Sequence, residues 1–363
     1  MPTTGANNIM YAYVGCFTTA HRKARGKGIS VYRIDDATGA WSLIEVFETI
    51  ANPGFVALDR KQRFLYASHG DGDTVSAYAI EAIDPQTRKL RFLNQQPSSG
   101  DNGPHLIVDP TDRYVVVANG PGIAVLPINA DGSLAPATDA VVPPGKEGPY
   151  KREQGLGAHP HQVVFDASGR FLLSPDKGVD ATHIYRLDAA SGKLVVNDPP
   201  FVKSRYGAGP RHLSFHPSRP FAYLINELDS TVTTYQWDGV RGLLTPVHII
   251  PTTPATFVGD NTGAEIAVAP SGKFVYVSNR GHNSIATFAV DANDGTLAPI
   301  GWEPTQGKKP RFFTLDPAGE TLYVANEDSD TIVAFRLDAA SGKPAPTGLI
   351  IATGSPSCVV FAS

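Results

Sequence analysis

The sequence predicts an all-β chain folded as one seven-bladed β-propeller, each blade a four-stranded antiparallel sheet, with the last blade closed by the N- and C-terminal strands. Three observations predict it: a layout that recurs along the chain, a spacing between copies that suits one blade apiece, and a seventh copy split between the two ends.

Each copy opens on Pro or a small residue and continues as an apolar strand a. It turns through Pro, Gly or Ser and returns as strand b, ending in Asn, Asp or Ser. Openings at Pro53, Pro104, Pro160, Pro210, Ala264, Pro310 and Pro356 are separated by 51, 56, 50, 54, 46 and 46 residues. The copies align as text: GPRHLSFHPSRPFAYLINELDSTVTTYQW, then GAEIAVAPSGKFVYVSNRGHNSIATFAV, then KPRFFTLDPAGETLYVANEDSDTIVAFRL. Alternating strand c follows a polar loop, and turns such as LDAASGKL and VDANDGTL lead to a weaker strand d. The chain ends in PSCVVFAS, a strand a with nothing after it, and begins with YAYVGCF, GISVYRID and WSLIEVFET, strands b, c and d with nothing before them. Pairing these segments removes two open sheet edges and shuts the ring. Residues 1–363 are therefore read as a single domain, since a repeat fold escapes the usual size limit of one core.

Composition agrees and narrows the function. The 35 Gly and 30 Pro are spread between short apolar runs as turn punctuation. The net charge of −4, without a long basic run, argues against nucleic acid and anionic membrane as partners. No stretch approaches the roughly 18 consecutive apolar residues of a membrane span, and the start lacks a secretory pattern. Two cysteines, Cys16 and Cys358, exclude a disulfide framework and point to a cytoplasmic protein. They fall at similar height in adjacent strands of the closing blade, and we read them as small buried thiols rather than a redox clasp.

In a propeller, strand a lines the channel and strand b returns beside it, so the starts of a and the ends of b converge on one mouth. The strand-a starts bring His105, His161, Arg211, His212, Glu265 and Arg311 there; the strand-b ends bring His69, Asn119, Asp176, Asn226, Glu227, Asn279, Arg280, Asn326 and Glu327. Counting back from the turn near Ser218 sets Arg211 almost opposite Glu227, with Arg280 at the same height in the next blade. The repeated Asn at the strand-b ends, and His216 and Asp316 in opposite-face turns, read as turn residues. Arg311 also reads as a salt-bridge partner of Glu327. His161, Arg211, Glu227 and Arg280 differ from counterparts such as Gly54, Asp176 and Phe17, and are assigned to catalysis. His159, His282, Glu265, Arg311, His105 and Asn279 are assigned to substrate binding. No metal-ligand spacing and no cofactor motif is found, so metal and cofactor are both expected to be none.

These motifs resemble the lactonase family of seven-bladed propellers, which includes bacterial 6-phosphogluconolactonases and fungal 3-carboxy-cis,cis-muconate lactonizing enzymes. The resemblance is carried by YVGCFT, AHPHQVVFDASGRFLL, the GPRH, NEL and SNRGH series, and PRFFTLDPAGETLYVAN. It implies active-site roles for the His of HPH (His161 or His159), Arg211, Glu227 and Arg280. Blade three departs from the family pattern at LLSPDKGVDATHIY, and the long basic insert GKEGPYKREQGLGAHPH before it is placed to reach over the mouth as a lid.

The implied reaction is opening of a sugar-acid lactone, 6-phosphogluconolactone first among candidates. Two guanidiniums would grip an anionic substrate and face the oxyanion; an ionised Glu227 would orient and His161 would be the titrating base, with the reverse assignment of these two roles as the alternative. Cycloisomerisation of a carboxymuconate-type diacid would use the same ring, and a non-catalytic ligand-binding propeller is the third alternative. The expected partner is a small anionic lactone or sugar acid, and the expected assembly a monomer or weak homo-oligomer.

Overall fold

The computed structural model describes residues 9–363, apart from 36, 50 and 85. They form seven four-stranded antiparallel sheets. Blade four is typical, with strands a to d at Pro210–Phe215, Phe221–Asn226, Thr231–Asp238 and Leu243–Pro251. The closing blade takes strand a from Pro356–Ala362 and strands b, c and d from Met10–Cys16, Ile29–Ile34 and Trp41–Phe47. Inner strands are continuous apolar runs because both of their faces are covered: FAYLIN of blade four is buried throughout. Outer strand d alternates, as LLTPVHIIP does, because one face meets water. No helix of the described residues is long and apolar enough to cross a membrane.

The core is distributed, one apolar cluster to each blade interface. Between blades four and five, Tyr223, Ile225 and Val232 pack on Ile266, Val277 and Phe288, each fully buried large side chain contributing about 1.5–3 kcal/mol. A recurrent staple fixes the rim. Tyr66, Tyr223 and Tyr276 on strand b donate their hydroxyls to the carbonyls of Gly132, Gly295 and Gly342 in the c–d turn of the next blade. Gly295 (φ +75°) shows why that turn needs glycine: its backbone is left-handed, and a Cβ would lie 2.6 Å from the Phe221 ring. The turn VDANDGTL, and LDAASGKL through the Tyr114 hydroxyl on the Ala189 carbonyl, are thus blade-to-blade fasteners as well as hairpin ends.

At the mouth, strand a carries a β-bulge in blade after blade, between Pro53 and Phe55, Pro210 and His212, Gly263 and Ile266, and Pro310 and Phe312. A bulge opposes two residues to one and turns both toward the same side. Blade three departs from the expected strand from Pro160. Its strand a is only Val164–Phe165, joined to strand b by one further bridge, Pro160 to Asp176. The reason is local: the Gln162 side chain accepts from the Leu213 backbone N–H of blade four (2.7 Å), and its carbonyl accepts from the Ser174 hydroxyl (2.7 Å).

The insert before blade three is fastened to its own blade. Its short helix, Lys151–Gln154, lies beside the 177–180 loop, where buried Gln154 donates to the Lys177 carbonyl (2.8 Å) and Asp180 (3.0 Å). The two thiols are free and buried. Cys358 pairs across the strands with Gly15, not with Cys16, so successive side chains alternate the two sulfurs onto opposite faces.

Candidate active site

Register makes three positions per blade equivalent: the residue after strand b, the bulge residue of strand a, and the residue after the bulge. In blade four these are Glu227, Arg211 and His212; in blade six, Glu327, Arg311 and Phe312. In blade three Lys177 and His161 occupy the first two, and in blade five Arg280, Ala264 and Glu265 occupy all three. These positions surround a cavity of about 210 Å³ lined by Phe17, His159, His161, Lys177, Arg211, His212, Glu227, Glu265, Arg311 and Phe312, and also by Gly54, Gly103 and Ser357.

Glu227 is the centre of the charged half. Its Oε2 accepts from Arg211 Nε (3.1 Å) and lies 3.2 Å from Arg280 Nη2, while Oε1 lies 3.4 Å from Lys177 Nζ. Burial by itself pushes this carboxyl up, but Arg280, Lys177 and Arg211 together outweigh burial and hold it well below the usual carboxylate range. It is a fixed anion. Arg211 also donates to the Ala264 carbonyl through Nη1, which leaves Nη2 without a protein partner among the described residues. Burial, then the neighbouring Arg280, lowers the Arg211 guanidinium to about 9. Arg280 does not line the cavity: it stands behind Glu227, its Nη2 bridging to the Gly263 carbonyl (3.1 Å).

A second, deeper set of contacts runs from the same carboxylate. His161 Nε2 is 4.0 Å from Glu227 Oε2, His161 Nδ1 is 3.2 Å from His212 Nε2, and His212 Nδ1 is 2.9 and 3.0 Å from the two Glu265 oxygens. The Ile266 backbone N–H donates to Glu265 Oε1 (3.1 Å) and fixes its end of the row. Burial and the Arg211 charge keep both imidazoles neutral, far below their ordinary range. Burial raises Glu265 to about 7, against the opposing pull of Arg211.

Lys309 binds Glu327 at 2.8 Å, while Arg311 lies 3.9 Å from that carboxylate, beyond hydrogen-bond range, and faces the cavity. The guanidiniums of Arg22 and Arg311 both stack on Phe17, 4.2 and 5.1 Å from its centroid.

A family model for lactonases of the seven-bladed β-propeller type matches residues 11–361. The chain belongs to the seven-bladed β-propeller lactonase family. It is similar to a 6-phosphogluconolactonase of Bacillus subtilis, 31% identical over 306 residues that cover 84% of each chain. Among solved structures it is similar to a putative 6-phosphogluconolactonase from Bacteroides fragilis (TM-score 0.89, 31% identity, 100% of both chains). A periplasmic gluconolactonase of Pseudomonas aeruginosa is also similar (TM-score 0.87, 31% identity, 98% of this chain and 99% of the other).

Within this lactonase fold, the four residues marked for catalysis meet around one carboxylate, while those marked for binding separate. His159, Glu265 and Arg311 line the cavity. His105 lies beneath it, its ring stacked on Phe55 (4.1 Å) and edge-on to His212 (5.5 Å). Asn279 does not line it: its amide donates to the Thr252 carbonyl (2.9 Å) and accepts from Thr252 and Asn261, the same loop-fastening work that Asn119 and Asn326 do. His282 lies outside the cavity lining, bonded to Ser284 (2.7 Å) with its ring against Phe257.

The contrast of Arg211 and Glu227 with Gly54, Asp176 and Phe17 does not extend to blade six, where Arg311 and Glu327 stand at the same two positions. His161 does not keep the titrating role expected of it, since burial and the surrounding cations hold it neutral, while burial raises Glu265 to about 7. Sequence reasoning passed over His212, Lys177, Arg22 and Phe17. Lys177 and Phe17 were detectable as register equivalents of Glu227. His212 was named at the mouth but given no role, and alternation alone would turn it away from the side Arg211 faces.

Proposed function

We propose that this protein hydrolyses the lactone of a sugar acid, with 6-phosphogluconolactone as substrate, in the cavity between Arg211, Glu227 and His161. The observation that carries this is the 4.0 Å span between His161 Nε2 and Glu227 Oε2. One water placed about 2.8 Å from each acceptor at a near-right angle bridges that gap. Both its protons are then directed at protein acceptors and a lone pair is left facing the cavity. The lactone carbonyl oxygen accepts from the free Nη2 of Arg211 and from Lys177 Nζ, donors already held by Glu227.

The water's oxygen bonds to the carbonyl carbon as its proton passes to His161 Nε2, forming a tetrahedral oxyanion between Arg211 and Lys177. Collapse breaks the bond to the ring oxygen, which takes the proton back from His161 and leaves as the hydroxyl of the open acid. Glu227 stays ionised throughout and orients the water, while Arg280 and the two cavity cations hold it in place.

The phosphate preference rests on Arg311 and Arg22. Both guanidiniums line the cavity and stack on Phe17; Arg22 is held by Asp71, and Arg311 keeps N–H groups without a hydrogen-bond partner among the described residues, open to phosphate oxygens. The relatives named for 6-phosphogluconolactone support this choice, and the two unpaired thiols support a cytoplasmic setting.

The test compares initial rates on 6-phosphogluconolactone, glucono-δ-lactone and a carboxymuconate for wild type and Arg311→Met. Wild type should prefer the phosphorylated lactone by about tenfold or more in kcat/KM, and Arg311→Met should erase that preference. No acceleration of either lactone above its spontaneous rate, or turnover of the carboxymuconate alone, would overturn the assignment.

A further inference from the structure

Three buried groups at the cavity floor, His161, His212 and Glu265, form an unbroken row of short contacts, of which lactone opening as derived above uses only the first. The geometry points to these three acting as one proton wire, in which a proton accepted at His161 Nε2 is matched by a proton delivered to the Glu265 carboxylate. This deepens the lactonase assignment and rests on it for its chemical purpose.

The row admits two complete hydrogen-bond patterns. In one, Glu265 is ionised: His212 donates from Nδ1 to Glu265, His161 donates from Nδ1 to His212 Nε2, and the lone pair of His161 Nε2 faces the cavity. In the other, Glu265 carries a proton and donates to His212 Nδ1. His212 then donates from Nε2 to His161 Nδ1, and His161 donates from Nε2 toward Glu227. The two patterns differ by a single proton, and every bond between them reverses. In neither is an imidazole charged.

That last property explains how His161 can serve as a base at all. It is buried among Arg211, Lys177 and Arg311, all of which oppose an imidazolium. Along the wire, the water's O–H bond breaks as its proton bonds to His161 Nε2. The Nδ1 proton of His161 moves to His212 Nε2, and the Nδ1 proton of His212 moves to Glu265. When the ring oxygen leaves, the same three transfers run backward and protonate it. The positive charge is never formed; the negative charge of Glu265 is consumed instead, and the effective base strength is that of the carboxyl. Glu265 is suited to this, being held near neutrality by burial, with Arg211, His105 and Arg311 pulling the other way and the Cys358 thiol nearby. Beside His212, these are the charged and titratable groups that act on it from blades two, four, six and seven.

Nitrogen-15 NMR of histidine-labelled protein reads the wire directly, without any substrate. Both His161 and His212 should carry the proton on Nε2 below the Glu265 midpoint of about 7 and on Nδ1 above it. They should invert together at a single midpoint, and in Glu265→Gln neither should invert. Kinetically, Glu265→Gln should lower kcat by about tenfold or more with KM within about threefold, and the acidic limb of the kcat profile should disappear. Should that variant fail to fold, His212→Gln interrupts the row and should abolish the inversion at His161. Two imidazoles that each titrate to imidazolium, or that keep one tautomer across the range in wild type, would overturn the wire. A protein that inverts as described yet opens no lactone would instead refute the assigned reaction and leave the wire standing.

Discussion

Replacing Glu227 by Gln keeps the side chain's shape and removes its charge, and it separates orientation from binding. Glu227 is the carboxylate shared by Arg211, Arg280 and Lys177 at 3.1, 3.2 and 3.4 Å. Leaving such cations buried without their anion costs about 3–5 kcal/mol, so the melting temperature should fall by several degrees. The attacking water loses the charged one of its two acceptors. A charge-assisted hydrogen bond is worth about 1.5–3 kcal/mol; at 1.36 kcal/mol per tenfold, kcat should fall by about tenfold to a hundredfold. The local field becomes more positive, so KM for an anionic lactone should stay level or decrease. Steady-state rates on the phosphorylated lactone, corrected for spontaneous opening, give both parameters. A kcat within about threefold of wild type, or a loss confined to KM, would refute the placement of the water between Glu227 and His161.

Arg211→Ala removes the oxyanion donor and one clamp on Glu227 together, and kcat/KM should drop by about a hundredfold or more in the same assay. Stability should fall as pH drops below about 6.5. His105, His159, His161, His183 and His212 stay neutral when folded because burial depresses them, but take up protons on unfolding. Glu265 and Asp176, raised by burial to about 7, act in the opposite sense because the folded state holds their protons; five groups against two leave the slope positive. Urea midpoints at pH 7.5 and 5.5 check the sign, and equal midpoints would contradict it. Gly178→Ala should both destabilise the fold and weaken substrate binding, since its Cβ would sit 1.8 Å from the Gly157 carbonyl and push aside the loop that carries His159. Denaturation midpoints and KM would register the two effects.

The ring was legible in the sequence because the hairpin turns and the strand endings recur in step, and because the end segments complement each other as one blade. Arg211, Glu227 and Arg280 were legible because hairpin counting alone fixes their height. The bulges were not legible. Alternation assigns Arg211 and His212 to opposite faces, and only the extra residue in the ladder brings both inside. The His212–Glu265 pair was hidden for the same reason, since Glu265 lies within an irregular stretch in which neither it nor Ala264 has a strand partner. Asn279 was overread because a strand-end amide looks the same in the sequence whether it turns to a ligand or to its own loop.

The bulged starts of strand a also separate two evolutionary pressures. Side chains at the bulge look into the cavity, while the apolar clusters that hold the disc together lie between the sheets farther out. A substitution at the mouth that leaves the buried ion pairs of Glu227 intact can therefore alter chemistry with little effect on folding. Gly54, Gly103 and Ser357 also line the cavity, among Phe55, Asn102 and Pro104. A Cβ at Gly54 would lie 2.9 Å from the Phe17 ring and one at Gly103 3.2 Å from Ser68 and Asn119, so retailoring this scaffold for a smaller or differently charged ester has to begin by moving Phe17, with the hydrolytic groups left untouched.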